Sequence, residues 1–422
     1  MLIAVLLIIN GAYSWHLGRL LEQRLAKLRT AGEPTTFAEL APEPIPPEQD
    51  AAVQLQRLAP ELKAFAKEHV DFLDRSPLGK SFGEDGKPPT PEQIDAIREI
   101  LSHYPDLPQA IDEASRCEGY ASQIDYSVDE ISGSASVPSP ALEEVISTTR
   151  DHRTSTRFLR WKILVLLAEE KQDEALETGL VILRLARHYD NEPALVNSLV
   201  ALAIRYNAVD SLNLVLRAGP LTDDVRQLLD QELALHEDPN WFEHVMKTER
   251  VISLSASRSM FAEAWWLPWM ARGLEVDILD AYQRLIPAIA QPWYKSRGEF
   301  RNLNTGVSYS TPVSGVLITL LEPSLKSACL TFNRSTAELR CLRILNKLTD
   351  YSQANGHEAA GLNDLDLPDV AKLDPFSGEP LRLKWTDEGW VVYTVFENGT
   401  DDDGDFKEQA DWGLGPAGYP GA

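Results

Sequence analysis

Asp374-Pro375-Phe376-Ser377-Gly378-Glu379-Pro380 opens the stretch that decides how the C-terminal end folds. It leads into Leu381-Arg382-Leu383-Lys384-Trp385, then a turn at Asp387-Glu388-Gly389, then Trp390-Val391-Val392-Tyr393-Thr394-Val395-Phe396. Leu381, Leu383 and Trp385 alternate with Arg382 and Lys384, which predicts a strand with one buried face. A turn followed by two such runs predicts a two-stranded antiparallel hairpin. Beyond it lies Asn398-Gly399-Thr400-Asp401-Asp402-Asp403-Gly404-Asp405, and then Ala410-Asp411-Trp412.

Between Asn398 and Asp411 there are six acidic residues against one base, Lys407. Carboxylates this dense repel one another unless they are solvated or neutralised by a cation. Hard oxygen donors at close spacing suit Ca²⁺, which accepts six to eight of them in loose geometry. An EF-hand is excluded, because counting from Asp401 puts Phe406 where glycine is required and Trp412 where glutamate is required. A disordered acidic tail is the plainer reading of such a run. Against it, the loop leaves an ordered strand and Trp412 offers an apolar point of return.

The order helix, Tyr351, Asn355-Gly356, Asp374-Pro375-aromatic-x-Gly378-x-Pro380, two strands, acidic loop, Ala410-Asp411 resembles the C-terminal domain of the major pseudopilins of type II secretion, the GspG-like family. The resemblance covers about 339–412. It implies a long helix packed on a small antiparallel sheet, with calcium in the loop after the sheet. By this match Asp374, Pro375, Gly378 and Pro380 form the structural turn. Asp401, Asp403, Asp405 and Asp411 are the candidate metal ligands, with the last three the first choices. The sequence departs from the family in lacking a prepilin leader before its apolar N-terminus. His357-Glu358-Ala359 also replaces the usual Arg-Tyr-Pro. The fold and the metal carry over; the secretion role does not.

Upstream the chain reads as helix. The apolar run Met1–Trp15 falls short of the ~20 residues that span a bilayer. Ala12-Tyr13-Ser14 would serve as a signal-peptide cleavage site. Arg19, Arg24, Lys27 and Arg29 follow the run and no base precedes it, so the charge rule taken literally leaves the body in the cytoplasm. A basic leader missing from the start reconciles this pattern with an inner-membrane anchor and a periplasmic body. The prolines of Ala41-Pro42-Glu43-Pro44-Ile45-Pro46-Pro47 predict a semi-rigid linker. From Thr156 to Glu237 short amphipathic helices follow one another, which predicts antiparallel hairpins. Lys171–Leu176 resembles half of a tetratricopeptide repeat, without a 34-residue period.

The expected fold is mostly α, a helical-hairpin, solenoid-like body followed by a small α+β module with an antiparallel sheet. Residues 1–30 would be anchor or signal segment and stalk, 31–50 linker, 51–322 body, 323–412 the module and 413–422 a flexible tail.

A formal charge of −24 with no basic stripe argues against nucleic acid as a partner. Cys117, Cys329 and Cys341 imply no disulfide framework. Gly79-Lys80-Ser81 fails as a phosphate loop because Asp74 stands where the first glycine belongs. His236-Glu237 and His357-Glu358 lack the second histidine of a zinc protease motif. The expected function is therefore a non-enzymatic, membrane-anchored envelope scaffold that docks an unidentified protein through its helical body. The alternative is a glycan-active or other hydrolase. Its cleft would lie in the tryptophan-rich 241–295 segment, with Glu249 and Glu263 as its carboxylates.

Overall fold

Leu17, Leu21, Leu25 and Leu28 recur three and four residues apart, the spacing of a single helical face. The structure is a computed structural model that describes residues 2–80, 88–121, 123–127, 140–261, 268–302 and 307–416. In it this face belongs to one unbroken helix, α1 (Leu2–Thr30). Leu17 and Leu25 are buried, with Leu21 and Leu28 packed beside them. The expected stalk is thus part of the body, because its leucine stripe has a surface to bury against. The start of the expected linker is packed too, whereas its Pro-rich part is exposed at 41–44 and 46–49. Phe37 is 1% exposed, and Glu33 meets Lys247 and Arg250 at 3.2 and 2.8 Å. Proline stops the helix, but one aromatic and one carboxylate tie the strap down.

Five helices follow: α2 (Ala51–Arg57), α3 (Ala59–Arg75), α4 (Pro77–Lys80), α5 (Pro91–Ser102) and α6 (Leu107–Ser115). Thr90 caps α5 in a reciprocal capping box with Gln93. Residues 128–139 lie outside the described residues, and α7 (Pro140–Ala168) begins beyond them. α7, α8 (Gln172–Tyr189) and α9 (Leu195–Ala218) pack on one another as consecutive neighbours. Gly179 lets α8 and α9 approach, since a Cβ there would stand 2.5 Å from Leu212 Cδ2. Thr222 precedes α10 (Asp223–Leu235), yet its hydroxyl donates to Asp173 Oδ2 at 2.9 Å instead of capping the helix.

The second half comprises α11 (Trp241–Met260), α12 (Pro268–Ile289), α13 (Trp293–Asn302) and α14 (Pro312–Asn355), then the short α15 (Asp369–Lys372). Thr311 caps α14, Pro312 sits in its first turn, and Gly356 ends it at φ +71°. The sheet is antiparallel in the order β1 (Arg382–Thr386), β2 (Gly389–Thr394), β3 (Trp412–Leu414). The mostly α fold with a small C-terminal antiparallel sheet is as the sequence predicts.

Two expected boundaries move. α14 runs unbroken through 322/323, and its buried residues Leu339, Leu342 and Leu345 belong to the same core as Leu180 and Leu212 of the body. A 44-residue helix with apolar residues on more than one side joins body and module instead of separating them. The expected tail starts too early as well, because Gly413 and Leu414 pair with Tyr393 and Val392. Among the described residues two helices, α9 and α14, are long and apolar enough by length and composition to cross a membrane, and over half of the α9 window is buried in the fold.

Candidate metal centre

Asp374 organises the turn. It is 1% exposed, and its two oxygens accept from Phe376 N (2.8 Å), Thr394 Oγ1 (2.6 Å), Ser377 Oγ (3.0 Å) and Val395 N (3.2 Å). Its own amide donates to Glu379 O at 2.8 Å. Pro375 and Pro380 frame this turn. Gly378, at φ +78°, lies against the ring of Tyr294, where a Cβ would come within 2.8 Å. The turn therefore locks the end of β2 to the start of β1.

β2 is the central strand, and Val391, Val392, Tyr393 and Thr394 are all buried. On one face Val392 joins the α14 core, and on the other Val391 and Tyr393 pack under Phe406 of the acidic loop. The loop is a folded layer over the sheet. Of the predicted inward face of β1, Leu381 is buried and Leu383 half-buried, but Trp385 is 53% exposed and packs edge-on against Trp390. β1 is an edge strand.

The four candidate ligands have different surroundings. Asp401 accepts from Tyr393 OH at 3.0 Å and lies 3.3 Å from Arg382. Asp403 faces Lys384 through its carboxylate (2.8 Å) and its carbonyl (2.7 Å). Asp405 accepts the Lys407 amide at 3.0 Å. Asp411 is fully buried. Its Oδ2 accepts from Asp402 N (3.0 Å) and Gly404 N (2.8 Å), while its Oδ1 has no hydrogen-bond partner among the described residues. Burial pushes its carboxyl up to about 6; the charges of Asp401 and Asp402 add to this and the two amides oppose it. Asp403 and Gly404 adopt φ +58° and +72° in the turn between these amides.

Among the described residues no three Asp, Glu, His or Cys side chains converge as a ready cluster. Asp401 and Asp403 lean instead on the two bases of β1, which the sequence reading left out of the site. The alternation of β1 was the signal for them, since it puts Arg382 and Lys384 together on the face opposite Leu381 and Leu383.

In the alternative cleft, Glu263, Trp265 and Trp266 lie outside the described residues. The other tryptophans are packed. Trp241 lies under Arg205 (4.6 Å) and beside Phe332 (5.6 Å), Trp293 stacks on Phe300 (5.5 Å), and Trp269 pairs with Tyr13 (6.0 Å). Glu249 accepts the Leu195 amide at the start of α9 at 2.8 Å. Burial raises its carboxyl from the ordinary 4.5 to about 7. Folded Glu249 holds a proton that an unfolded glutamate has released, so it removes stability as pH rises through that window. Glu249→Gln is expected to lose less stability than the wild type between about pH 5 and 7, in urea melts at both. Equal losses in the two proteins would refute this.

Comparison of the chain with family models, with curated proteins and with solved structures finds no match.

Proposed function

We propose that this chain is a non-enzymatic, membrane-anchored scaffold of the bacterial envelope, with a periplasmic body, and that calcium closes its C-terminal module. The observation that carries the metal reading is Asp411 Oδ1, a buried carboxylate oxygen with no donor among the described residues, beneath an acidic loop ordered over a sheet. An oxygen so placed is costly unless something positive reaches it. Asp411 would hold the ion with Asp401, Asp403, Asp405 and loop carbonyls, an all-oxygen donor set. Calcium would supply charge neutralisation, freeing Lys384 from Asp403. The body would dock a protein partner through its helical faces. Ile8 and Trp15, 70% and 66% exposed on the first half of α1, support the anchor.

The test is a thermal melt of the full-length protein in calcium and in chelator. With a dissociation constant on the order of 0.1 mM, about 1 mM calcium adds roughly 1.4 kcal/mol, a rise of a few degrees. Asp403→Asn/Asp405→Asn, both exposed positions, is expected to fold normally and lose the rise. Hydrogen exchange is expected to place the protection at 401–411. A wild-type melt indifferent to calcium would remove the metal from this reading. Recovery of the native protein from the soluble fraction alone would remove the anchor.

A further inference from the structure

The last turns of α1 do more than pack. Together with α11 and α12 they enclose a cleft of about 400 Å³, within the range of small-molecule sites. Its floor is apolar: Leu279, Tyr282 and Ile286 are buried, and Leu28 is half-buried beside them. Its rim is cationic. Arg24, Lys27, Lys247 and Arg250 line it against Glu33 and Glu243, in a chain whose net charge is −24.

The pairing leaves a surplus of positive charge. Arg24 is committed to Asp280 at 2.6 Å, and Lys247 to Glu33 and Glu243 at 3.2 and 2.8 Å. Arg250 donates through its Nη atoms to Glu33 (2.8 Å) and to Pro34 O (3.4 Å). Its Nε, in a residue 2% exposed, has no acceptor among the described residues. Lys27, exposed at the rim, has no carboxylate partner among the described residues. A buried guanidinium N–H without an acceptor is a donor that an incoming anion satisfies.

We infer that this cleft binds a single-chain amphipathic anion, its tail on the Leu28–Leu279–Ile286 floor and its head group between Arg250 and Lys27. A peptide fits less well. The walls are helices whose backbone groups are already bonded, so a peptide's amides would go without partners. An acyl chain has no such requirement. Fatty carboxylates and alkyl phosphates share the chemistry, and both are available as probes.

Isothermal titration of the full-length protein with decanoate and with decyl phosphate, each below its micelle-forming concentration, tests this. At least one is expected to bind a single site with a dissociation constant on the order of 0.1 mM, and the tighter of the two identifies the head group. Decanol and decyltrimethylammonium, which share the tail without the negative charge, are expected to bind about tenfold or more weakly. Lys27→Met and Ala290→Trp, both at exposed positions, are expected to fold and to weaken the anion by about tenfold each. Failure of both anions to bind overturns the assignment, as does decanol binding as tightly as they do, or undiminished binding in both variants.

Discussion

Asp374→Ala is expected to unfold the C-terminal sheet while leaving the helices of the body in place. Four donors converge on that carboxylate, two of them main-chain amides, in a site sealed from water. Removing the acceptor strands all four, and each buried unsatisfied donor costs about 1–3 kcal/mol. Partial relaxation brings the total to about 3–5 kcal/mol. Asp374→Asn keeps one acceptor oxygen and puts an NH2 where two donors point, so it is expected to recover little. Hydrogen exchange separates this from global unfolding. Amides of Val391–Val395 should lose protection, while those of α8 and α9 keep theirs. Protection of β2 equal to wild type would mean that the turn is held by Pro375 and Pro380 alone.

The Asp374 turn was marked by its resemblance to a family pattern and by residues at fixed offsets. Its partners Phe376 and Ser377 are local, but Thr394 and Val395 lie twenty and twenty-one residues away. The hairpin was legible because it is local: its register, Arg382 opposite Tyr393 through Thr386 opposite Gly389, follows from one short turn. Long-range ties left no such signal. Arg340 donates to Leu373 O at 2.7 Å, Arg343 holds Asp230 and Glu237, and Arg217 reaches Trp390 O at 2.8 Å. In sequence these arginines look like the solvated face of a helix, and so the module was drawn as separate from the body. The cationic cleft was invisible for another reason. Its four bases come from positions 24, 27, 247 and 250, two pairs more than two hundred residues apart, so no basic run marks them. In the acidic loop, the composition showed where charge gathers but not that Asp411 lies beneath and the others above.

The same difference makes Gly413 the sharpest test of the closed loop. Read as the first residue of a tail, Gly413 should tolerate alanine without effect. In the structure it pairs with Tyr393, and a Cβ there would stand 2.2 Å from Val392 O and 2.6 Å from Tyr393 Cα. Both atoms are main chain of the central strand, so no rotamer change relieves the overlap. Either β3 detaches or β2 moves within its packed layer, and overpacking of this kind costs about 3 kcal/mol or more. Detachment would also release Trp412, whose Nε1 donates to Glu338 Oε1 at 2.6 Å and whose ring lies 3.5 Å under Arg334. The next residue back is Asp411, so the amides of Asp402 and Gly404 would lose their acceptor together. Gly413→Ala is therefore expected to expose Trp412, lower the melting temperature and abolish the calcium-dependent rise. It would do so without altering a single candidate ligand. A variant that melts like the wild type would place residue 413 outside the sheet and leave Asp411 without the strand that buries it.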